Sequence, residues 1–455
     1  MSPLRDARLL TFQGASARNG MVPSGQLAAW QVLADLEFRY GPHLNLPLVV
    51  DIPPTVGDDE VLAALRVTVV RHEALRTTYE RDRDAQLWAY AHPAGSIDVE
   101  IVLVSDTQLS VMTSEITARL RERPFRCDRE LQVRAAVVRT ISGAGHLVLV
   151  TSLPAVDGWS LHVLHDELSR QLRGEHADDE DGGWQPLDEG RHERSERGRE
   201  ARQRALSFWR RQLESMPALD RSPPRSTTAP RFWHAAFNSA ATAHATRAVA
   251  ATYRVAPSSV LLTAAAHTLA EHDGGRKSGL FVVVTNRNHS RLRTTVGHLS
   301  QPVPLYLDLH GDHATVLART HASLLAAARY GQLDPTAATA LIEEVSSGRS
   351  SAPELGRTFN YHRPTLPYEK VTHEPADYPA LLRQSEFGWC DSAEAEQMTF
   401  YMHVWEVWPV AKLSFWVDTH YLSRQQSAAF AFRLEELLVA MAGVDPTCGE
   451  SFGEG

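Results

Sequence analysis

The side chains best suited to chemistry lie in one short segment that begins at residue 152. Ser152 supplies a hydroxyl and Asp157 a carboxylate. No basic side chain stands next to Ser152, and a serine without an adjacent base is a weak nucleophile. Leu153 carries no titratable or hydrogen-bonding group, so it can take no part in proton transfer. Pro154 has a fixed φ angle and should stiffen the segment. The segment therefore offers a scaffold for chemistry without an evident base.

Histidines outside this segment are the candidates for a proton acceptor. His162 and His165 lie on adjacent turns of a predicted helix directly after the segment, and we interpret them as partly buried helical residues. His298 follows Val296 and Gly297 much later in the chain, and it is a third candidate for a base.

The composition excludes several classes of protein. The chain has 455 residues, of which 43% are hydrophobic and 22% charged, and this is typical of a globular protein with two or three core units. The formal net charge of −9 argues against sequence-independent binding of nucleic acid. Cys127, Cys390 and Cys448 are too scattered for a disulfide framework or a thiolate zinc site. We expect a cytoplasmic protein, because no signal peptide or membrane span is apparent.

Hydrophobic periodicity predicts an α/β protein that positions these residues. In the first half it predicts a helix over 61–70 that follows three acidic residues, a hairpin of strands 131–140 and 146–151, and a helix over 160–172. In the second half it predicts helices over 258–272 and 425–441 and strands over 280–285, 300–309 and 412–419. Pro302 and Pro304 confine the 300–309 strand to a sheet edge, because proline cannot donate a ladder hydrogen bond.

A charged stretch separates the two halves. Residues 174–183 are acidic and glycine-rich, which is typical of a linker or exposed loop. Residues 191–204 alternate arginine with glutamate, and Glu193 and Arg197 have the i, i+4 spacing of an exposed helix. We interpret this stretch as a solvated helix face, with a docking face for an acidic partner as the alternative. The predicted organisation is an N-terminal lobe over 1–175, a charged linker over 176–200 and a C-terminal lobe over 201–455.

Seven short motifs, in one fixed order, resemble the condensation domains of nonribosomal peptide synthesis. The most specific is Arg71–Tyr79, which is similar to that family's RHExLRTxF motif. Gln26 and Trp30 match the family's SxAQxRLW motif, from which Gly25, Ala28 and Ala29 depart. Pro124-Phe125 with Leu131 and Arg134, Asp157–Ser160 and Phe208–Leu213 are similar to the PFdL…plLR stretch, the end of HHxxxDGWS and YWxxQL. Asn286-Arg287 with Val296-Gly297 and Gln301, and then Phe359–Tyr361, are similar to GR…IGxFVN and FNY.

The resemblance implies a fold and a set of partners. The fold is two chloramphenicol-acetyltransferase-like lobes in a V with a central tunnel, which carrier-protein phosphopantetheine arms enter from opposite sides. An amine on one arm attacks the acyl thioester on the other, without a metal or redox cofactor. Trp159, Asn360 and Tyr361 are candidates for lining the tunnel, with core packing as the alternative. His298 lies in a region that contributes to the tunnel in this family.

The active-site motif of the family is incomplete in this chain. Ser152 and Leu153 occupy the positions of its two histidines, of which the second is the family's base or transition-state hydrogen-bond partner. Asp157 and Gly158 are retained. The resemblance implies that Asp157 pairs with an arginine of the second lobe, and Arg287 is the matching residue. Such a charge-assisted pair orders the loop rather than performing chemistry.

Two functions fit this pattern. The first is amide-forming acyl transfer without the usual histidine, which proximity of oriented reactants can support. The second is a non-catalytic module that binds a carrier-bound peptide or recruits a tailoring enzyme. A carrier-protein epimerase fits poorly, because that reaction needs the missing histidine. Because the sequence shows no adenylation or carrier segment after residue 445, we expect the protein to act in trans on acyl or peptidyl carrier proteins, as a monomer.

Overall fold

The computed structural model describes residues 4–37, 44–175, 183–218, 229–362, 376–394 and 398–443. Its strands are β1 Leu4–Phe12, β2 Arg18–Met21, β3 Leu46–Ile52, β4 Thr77–Arg81, β5 Leu87–Ala91, β6 Gly95–Val104, β7 Val133–Thr140, β8 Gly145–Thr151, β9 Phe232–Ser239, β10 Lys277–Val284, β11 Gln301–Asp308, β12 Arg357–Tyr361, β13 Glu386–Ala393, β14 Phe400–Val407 and β15 Ala411–Asp418.

The α-helices of the same part of the chain alternate with these strands. They are α1 Ser24–Glu37, α2 Asp58–Arg71, α3 Leu109–Glu122, α4 Gly158–Leu172, α5 Pro186–Glu193, α6 Glu196–Ser215, α7 Ala240–Tyr253, α8 Pro257–His272, α9 His313–Tyr330, α10 Pro335–Ser347, α11 Tyr378–Leu382 and α12 Arg424–Met441. The alternation confirms the predicted α/β class.

The chain divides into two compact units. The first contains Met1–Gln203, Thr285–Gln301 and Leu333–Pro335, and the second contains the remaining segments. The second unit is therefore not the continuous stretch 201–455 that the sequence suggested, because Thr285–Gln301 packs with the first unit. The predicted charged linker contains α5 and the start of α6, which agrees with the helix that the sequence indicated over 191–204. Residues 176–182 of that linker lie outside the described residues.

The first unit is built on a five-stranded sheet with the order β1-β6-β7-β8-β3 and a three-stranded sheet with the order β2-β5-β4. Helices α2 and α4 cover one face of the larger sheet, where Leu65 and Leu164 pack against Leu147 and Leu149 of β8. Helix α3 covers the other face, where Ile116 packs against Val148. Because both faces of β8 are covered, nearly every residue of that strand is buried.

The second unit contains a seven-stranded sheet with the order β11-β10-β12-β14-β15-β9-β13. Strand β11 lies at the edge, as Pro302 and Pro304 predicted. On one face of the sheet, Phe400 of β14 and Phe415 of β15 contact Phe430 of α12. Along β14, buried residues on this face alternate with less buried residues that point to the opposite face.

Most of the predicted elements are confirmed. Helix α2 begins directly at the acidic run Asp58–Glu60, where carboxylates stabilise the positive end of the helix dipole. Strands β7 and β8 form the predicted antiparallel hairpin. Within the described part of the chain, no helix combines the length and apolarity needed to cross a membrane.

Candidate functional site

The candidate site lies on the loop Ser152–Asp157, which joins the end of β8 to the start of α4. Asp157 is the N-cap residue of α4, and one of its carboxylate oxygens accepts a hydrogen bond from Ser160 N at 2.9 Å. An N-cap carboxylate satisfies an amide that the first helical turn leaves without a partner. The helix start therefore fixes the second half of the loop.

Asp157 also forms a buried ion pair with Arg287. The guanidinium contacts both carboxylate oxygens, with Nη1 2.7 Å from Oδ2 and Nη2 2.9 Å from Oδ1. Oδ2 further accepts hydrogen bonds from Leu299 N and Ser300 N, both at 3.1 Å, and from Ser300 Oγ at 2.7 Å. Burial alone would raise the pKa of Asp157, but Arg287, the nearby His298 and the Ser160 amide hold that pKa well below its usual range. The carboxylate is a structural anion.

Arg287 anchors the segment 285–301 to the same loop. Its guanidinium donates to the carbonyl oxygens of Thr285 and Gly297, at 3.0 and 2.9 Å, and to Ser160 Oγ at 2.9 Å. Because Arg287 belongs to the first unit, the pair orders that unit internally. The predicted ion pair is therefore present, but both of its residues belong to the first unit, whereas the family resemblance implied an arginine from the second lobe.

The first half of the loop has a different character. Ser152 is buried, and its Oγ has no hydrogen-bond partner within the described ranges. Leu153 is partly exposed, and its side chain cannot exchange protons. Gly158 begins α4, and Trp159 donates from its indole nitrogen to the carbonyl oxygen of Arg293 at 2.8 Å. Neither Ser152 nor Leu153 therefore supplies a basic side chain.

His298 lies directly against this part of the loop. Its Nδ1 is 2.8 Å from the carbonyl oxygen of Leu153. A carbonyl oxygen only accepts, so Nδ1 is the protonated nitrogen, and Nε2 of the neutral ring carries the lone pair. Burial lowers the pKa of His298, while the nearby Asp157 carboxylate opposes that effect. The lowered pKa favours the uncharged imidazole, and hydrogen bonds to the carbonyl oxygens of Leu153 and Val156 oppose that shift.

Helix α1 packs against both halves of the site through Gly25. A Cβ atom added at Gly25 would lie 2.7 Å from the carbonyl oxygen of His298 and 2.6 Å from Leu299 Cα, so only glycine fits there. The next residue, Gln26, donates from Nε2 to the carbonyl oxygen of Pro154 at 3.1 Å. The sequence showed Gly25 only as a departure from the family motif, and the close approach explains that departure.

Glu193 of α5 holds the first turn of α1. Its carboxylate accepts hydrogen bonds from Ser24 N and Ser24 Oγ, both at 2.8 Å. Burial raises the pKa of Glu193 to about 7, and the Ser24 hydrogen bonds lower it only in part. The start of α1, which carries Gly25 and Gln26, is therefore attached to a carboxyl group that titrates near neutral pH.

The remaining predicted residues lie elsewhere. Asn360 and Tyr361 belong to β12 of the second unit, where Asn360 donates from Nδ2 to the Tyr401 hydroxyl at 3.2 Å. His165 is exposed, and His162 is partly exposed on α4. The lining of a tunnel by Trp159, Asn360 and Tyr361 stays a prediction. The absence of a cofactor stays a prediction as well.

The geometry agrees with comparisons to known proteins. The family model described as the condensation domain matches residues 32–345. The chain therefore belongs to the condensation domain family, and it is related to the condensation domains of nonribosomal peptide synthetases and of hybrid polyketide–peptide synthetases.

Similarity to individual proteins is more distant. The chain is 30% identical over 140 residues to N-(5-amino-5-carboxypentanoyl)-L-cysteinyl-D-valine synthase of Penicillium chrysogenum, which covers 29% of this chain and 4% of that synthase. A condensation domain that mediates chain release from the enacyloxin polyketide synthase has a TM-score of 0.71 at 20% identity and covers 95% of this chain and 85% of that one. The X-domain solved in complex with OxyB from teicoplanin biosynthesis has a TM-score of 0.63 at 18% identity, covering 94% and 95%. These structures establish the condensation fold.

Proposed function

We propose that this protein transfers an acyl group from a carrier-bound thioester to an amine, in trans, and that His298 replaces the missing base. The observation that carries the proposal is the contact between His298 Nδ1 and the Leu153 carbonyl oxygen. The proposal takes Leu153 to stand at the position of the family's second histidine, as the sequence motif implies, and His298 is the imidazole in contact with that residue. Substrates arrive on the phosphopantetheine arms of acyl or peptidyl carrier proteins, and no other cofactor is needed.

The proposed reaction balances without a further reactant. The amine nitrogen bonds to the thioester carbonyl carbon, and the carbon–sulfur bond breaks. Nε2 of His298 accepts the proton that the amine loses and returns it to the departing thiolate. Because the pKa of His298 is lowered, the imidazole is available as a base but is a weak one. The nucleophile should therefore be one that needs little help with deprotonation.

The test uses carrier proteins loaded with acyl and aminoacyl groups, and the intact masses of the products. His298→Asn keeps a side-chain N–H for the Leu153 carbonyl but removes the acceptor nitrogen, so it separates proton transfer from loop support. We expect it to slow product formation about 10²-fold or more. Ser152→Ala should have a much smaller effect, and His165→Ala, which changes an exposed histidine, is the matched control.

The opposite results would contradict the proposal. Rapid condensation by the His298→Asn variant would remove His298 from the mechanism. Complete absence of product from the wild-type protein, with binding of the carrier-bound peptide retained, would favour the second function.

That second function is a non-catalytic module that binds a carrier-bound peptide or recruits a tailoring enzyme. The observation that favours it is the pair Ser152 and Leu153, since Ser152 Oγ has no partner in the described part of the chain and Leu153 has no polar side chain. The X-domain that binds OxyB is an example of a protein complex formed on a similar fold. Co-purification with a tailoring enzyme of the same biosynthetic system would test this function.

A further inference from the structure

Asn286 has a left-handed backbone next to the arginine of the buried ion pair. Its φ angle is 54°, a value that most residues with a Cβ atom avoid. The similar motif of the family, GR…IGxFVN, has glycine at this position, and glycine adopts positive φ angles without steric cost. Asparagine is one of the few other residues that tolerate this conformation. Asn286 therefore keeps the backbone that glycine would provide and adds a polar side chain.

The side chain of Asn286 is buried and bonded within the first unit. Its Nδ2 donates to the carbonyl oxygen of Leu299 at 2.8 Å and to Gln301 Oε1 at 3.2 Å. Gln301 Nε2 in turn donates to the carbonyl oxygen of Leu333 at 2.9 Å. The Leu333 carbonyl fixes which end of the Gln301 amide donates, and the two acceptors near Nδ2 fix the Asn286 amide in the same way. Gln301 stands where the family's motif has its final asparagine, so two departures from the motif share one hydrogen-bond network.

Asn286 and Asp157 hold the backbone directly after His298. The peptide group between Leu299 and Ser300 is bonded at both ends, because its carbonyl oxygen accepts from Asn286 and its N–H donates to Asp157 Oδ2 at 3.1 Å. The N–H of Leu299 donates to the same carboxylate oxygen. The backbone position of His298 is therefore fixed from its C-terminal side by one carboxylate and one amide.

The direction of the His298 ring depends on this backbone. Its Nδ1 is 2.8 Å from the carbonyl oxygen of Leu153, and a hydrogen bond of that length tolerates little displacement. Without the Asn286 amide, the buried Leu299 carbonyl would lose its donor, and the segment would have to shift to satisfy that carbonyl. A shift of the backbone carries the ring with it. The Asn286 amide is therefore coupled to the imidazole through the Leu299 carbonyl.

We propose that Asn286 is a positioning residue, which keeps the His298 imidazole on the Leu153 carbonyl by holding the carbonyl of Leu299. The proposal rests on the proposed function, since it names what supports the base of that reaction. Asp157 cannot replace Asn286 in this role, because a carboxylate accepts hydrogen bonds and has none to donate to a carbonyl.

The experiment compares two glycine variants at left-handed positions. Asn286→Gly preserves the backbone conformation and removes the amide. Ala85→Gly is the matched control, since Ala85 has a φ angle of 60° in the exposed turn between β4 and β5. Long-range proton–nitrogen NMR of histidine-labelled protein reports the tautomer of His298, and the spectrum of His298→Asn assigns the signal. We expect the Nδ1-protonated tautomer in the wild-type protein and in Ala85→Gly, and a mixture of both tautomers in Asn286→Gly.

Kinetics separate positioning from general stability. With carrier-bound acyl and aminoacyl substrates, Asn286→Gly should lower kcat about 10-fold to 100-fold and leave KM unchanged, because a displaced base no longer meets the reacting nitrogen. Ala85→Gly should leave both constants unchanged. Assays well below the denaturation midpoint of each variant remove any contribution from unfolded protein.

A measurement on the wild-type protein tests the network without relying on the folding of a variant. Both amide protons of Asn286 have buried acceptors, so they should exchange slowly with solvent. Gln301→Ala removes one of the two acceptors and keeps the contact with Leu299. It should speed that exchange and change the His298 tautomer less than Asn286→Gly does.

Several results would overturn the positioning role. They are an unchanged tautomer in Asn286→Gly, the same change in both glycine variants, a wild-type ring protonated on Nε2, and rapid exchange of the Asn286 amide protons. Failure of the proposed reaction looks different. If the wild-type protein forms no product but Asn286→Gly changes the tautomer, Asn286 retains its role and the reaction is contradicted. If His298→Asn abolishes product formation while Asn286→Gly alters neither tautomer nor kcat, the reaction stands and Asn286 has no positioning role.

Discussion

The two halves of the loop between β8 and α4 differ in how their polar groups are satisfied. In the second half, Asp157 collects hydrogen bonds from Ser160, Arg287, Leu299 and Ser300. In the first half, Ser152 Oγ has no partner among the residues that the structure describes. The second half of the loop is therefore held by a full set of hydrogen bonds, while the first half contains a buried hydroxyl for which no such bond is described. Two environments that differ this much lie within six residues of each other.

Removing the Asp157 carboxylate should have the largest effect on stability. Asp157→Ala leaves the buried Arg287 guanidinium without its counter-charge, and such a loss costs on the order of 3–5 kcal/mol. Chemical denaturation of the two proteins measures the difference. Asp308→Ala is the control, since that carboxylate and its partner Arg319 are both substantially exposed and such pairs contribute about 0–1 kcal/mol. Similar losses in both variants would show that the loop does not depend on the buried pair.

Adding a methyl group at Gly25 should have the next largest effect. Gly25→Ala forces α1 away from the His298–Leu299 backbone, and overpacking of this kind costs about 1–3 kcal/mol. It should also slow condensation, because it displaces His298. Gly388→Ala is the matched control, since a Cβ there meets nothing within 4 Å. An unchanged midpoint of denaturation for Gly25→Ala would contradict the close approach.

A pair of serine variants compares the two halves directly. Ser160 Oγ accepts hydrogen bonds from Gly297 N and Arg287 Nη2, so Ser160→Ala should cost about 1–3 kcal/mol. Ser152→Ala removes a buried hydroxyl that has no partner in the described ranges, and it should be neutral within about 0.5 kcal/mol or stabilising. Both side chains are buried, so denaturation midpoints compare like with like. A larger loss for Ser152→Ala would indicate a hydrogen-bond partner for that hydroxyl.

The stability of the protein should depend on pH through Glu193. Its pKa is raised to about 7 in the folded protein, so the stability associated with the protonated carboxyl is present at low pH and is lost as pH rises through about 7. The facing groups that contribute are Ser24, Glu189 and Arg194. Glu193→Gln removes this titration, so it should gain stability relative to the wild-type protein between pH 5 and 8. A constant difference across that range would contradict the assignment.

The sequence predicted the fold better than the site. The ordered motifs and the periodicity of segments such as 61–70 and 146–151 predicted the class and most elements, because those signals are local. The contact between His298 and Leu153 joins residues 145 positions apart, and no local pattern reveals it. The same holds for Gly25, whose need to be glycine arises from the backbone of residues 298–299.

The grouping of Thr285–Gln301 with the first unit has a consequence for synthesis of the chain. All strands of the first unit's two sheets precede residue 152, but Arg287 follows Asp157 by 130 residues. At a ribosomal rate of about 5–20 residues per second, the carboxylate emerges on the order of ten seconds before its cation. During that interval a desolvated Asp157 favours the protonated form. The unit can therefore form its sheets early, but the loop Ser152–Asp157 gains its contacts with Arg287, Leu299 and Ser300 only after residues 285–301 have been synthesised.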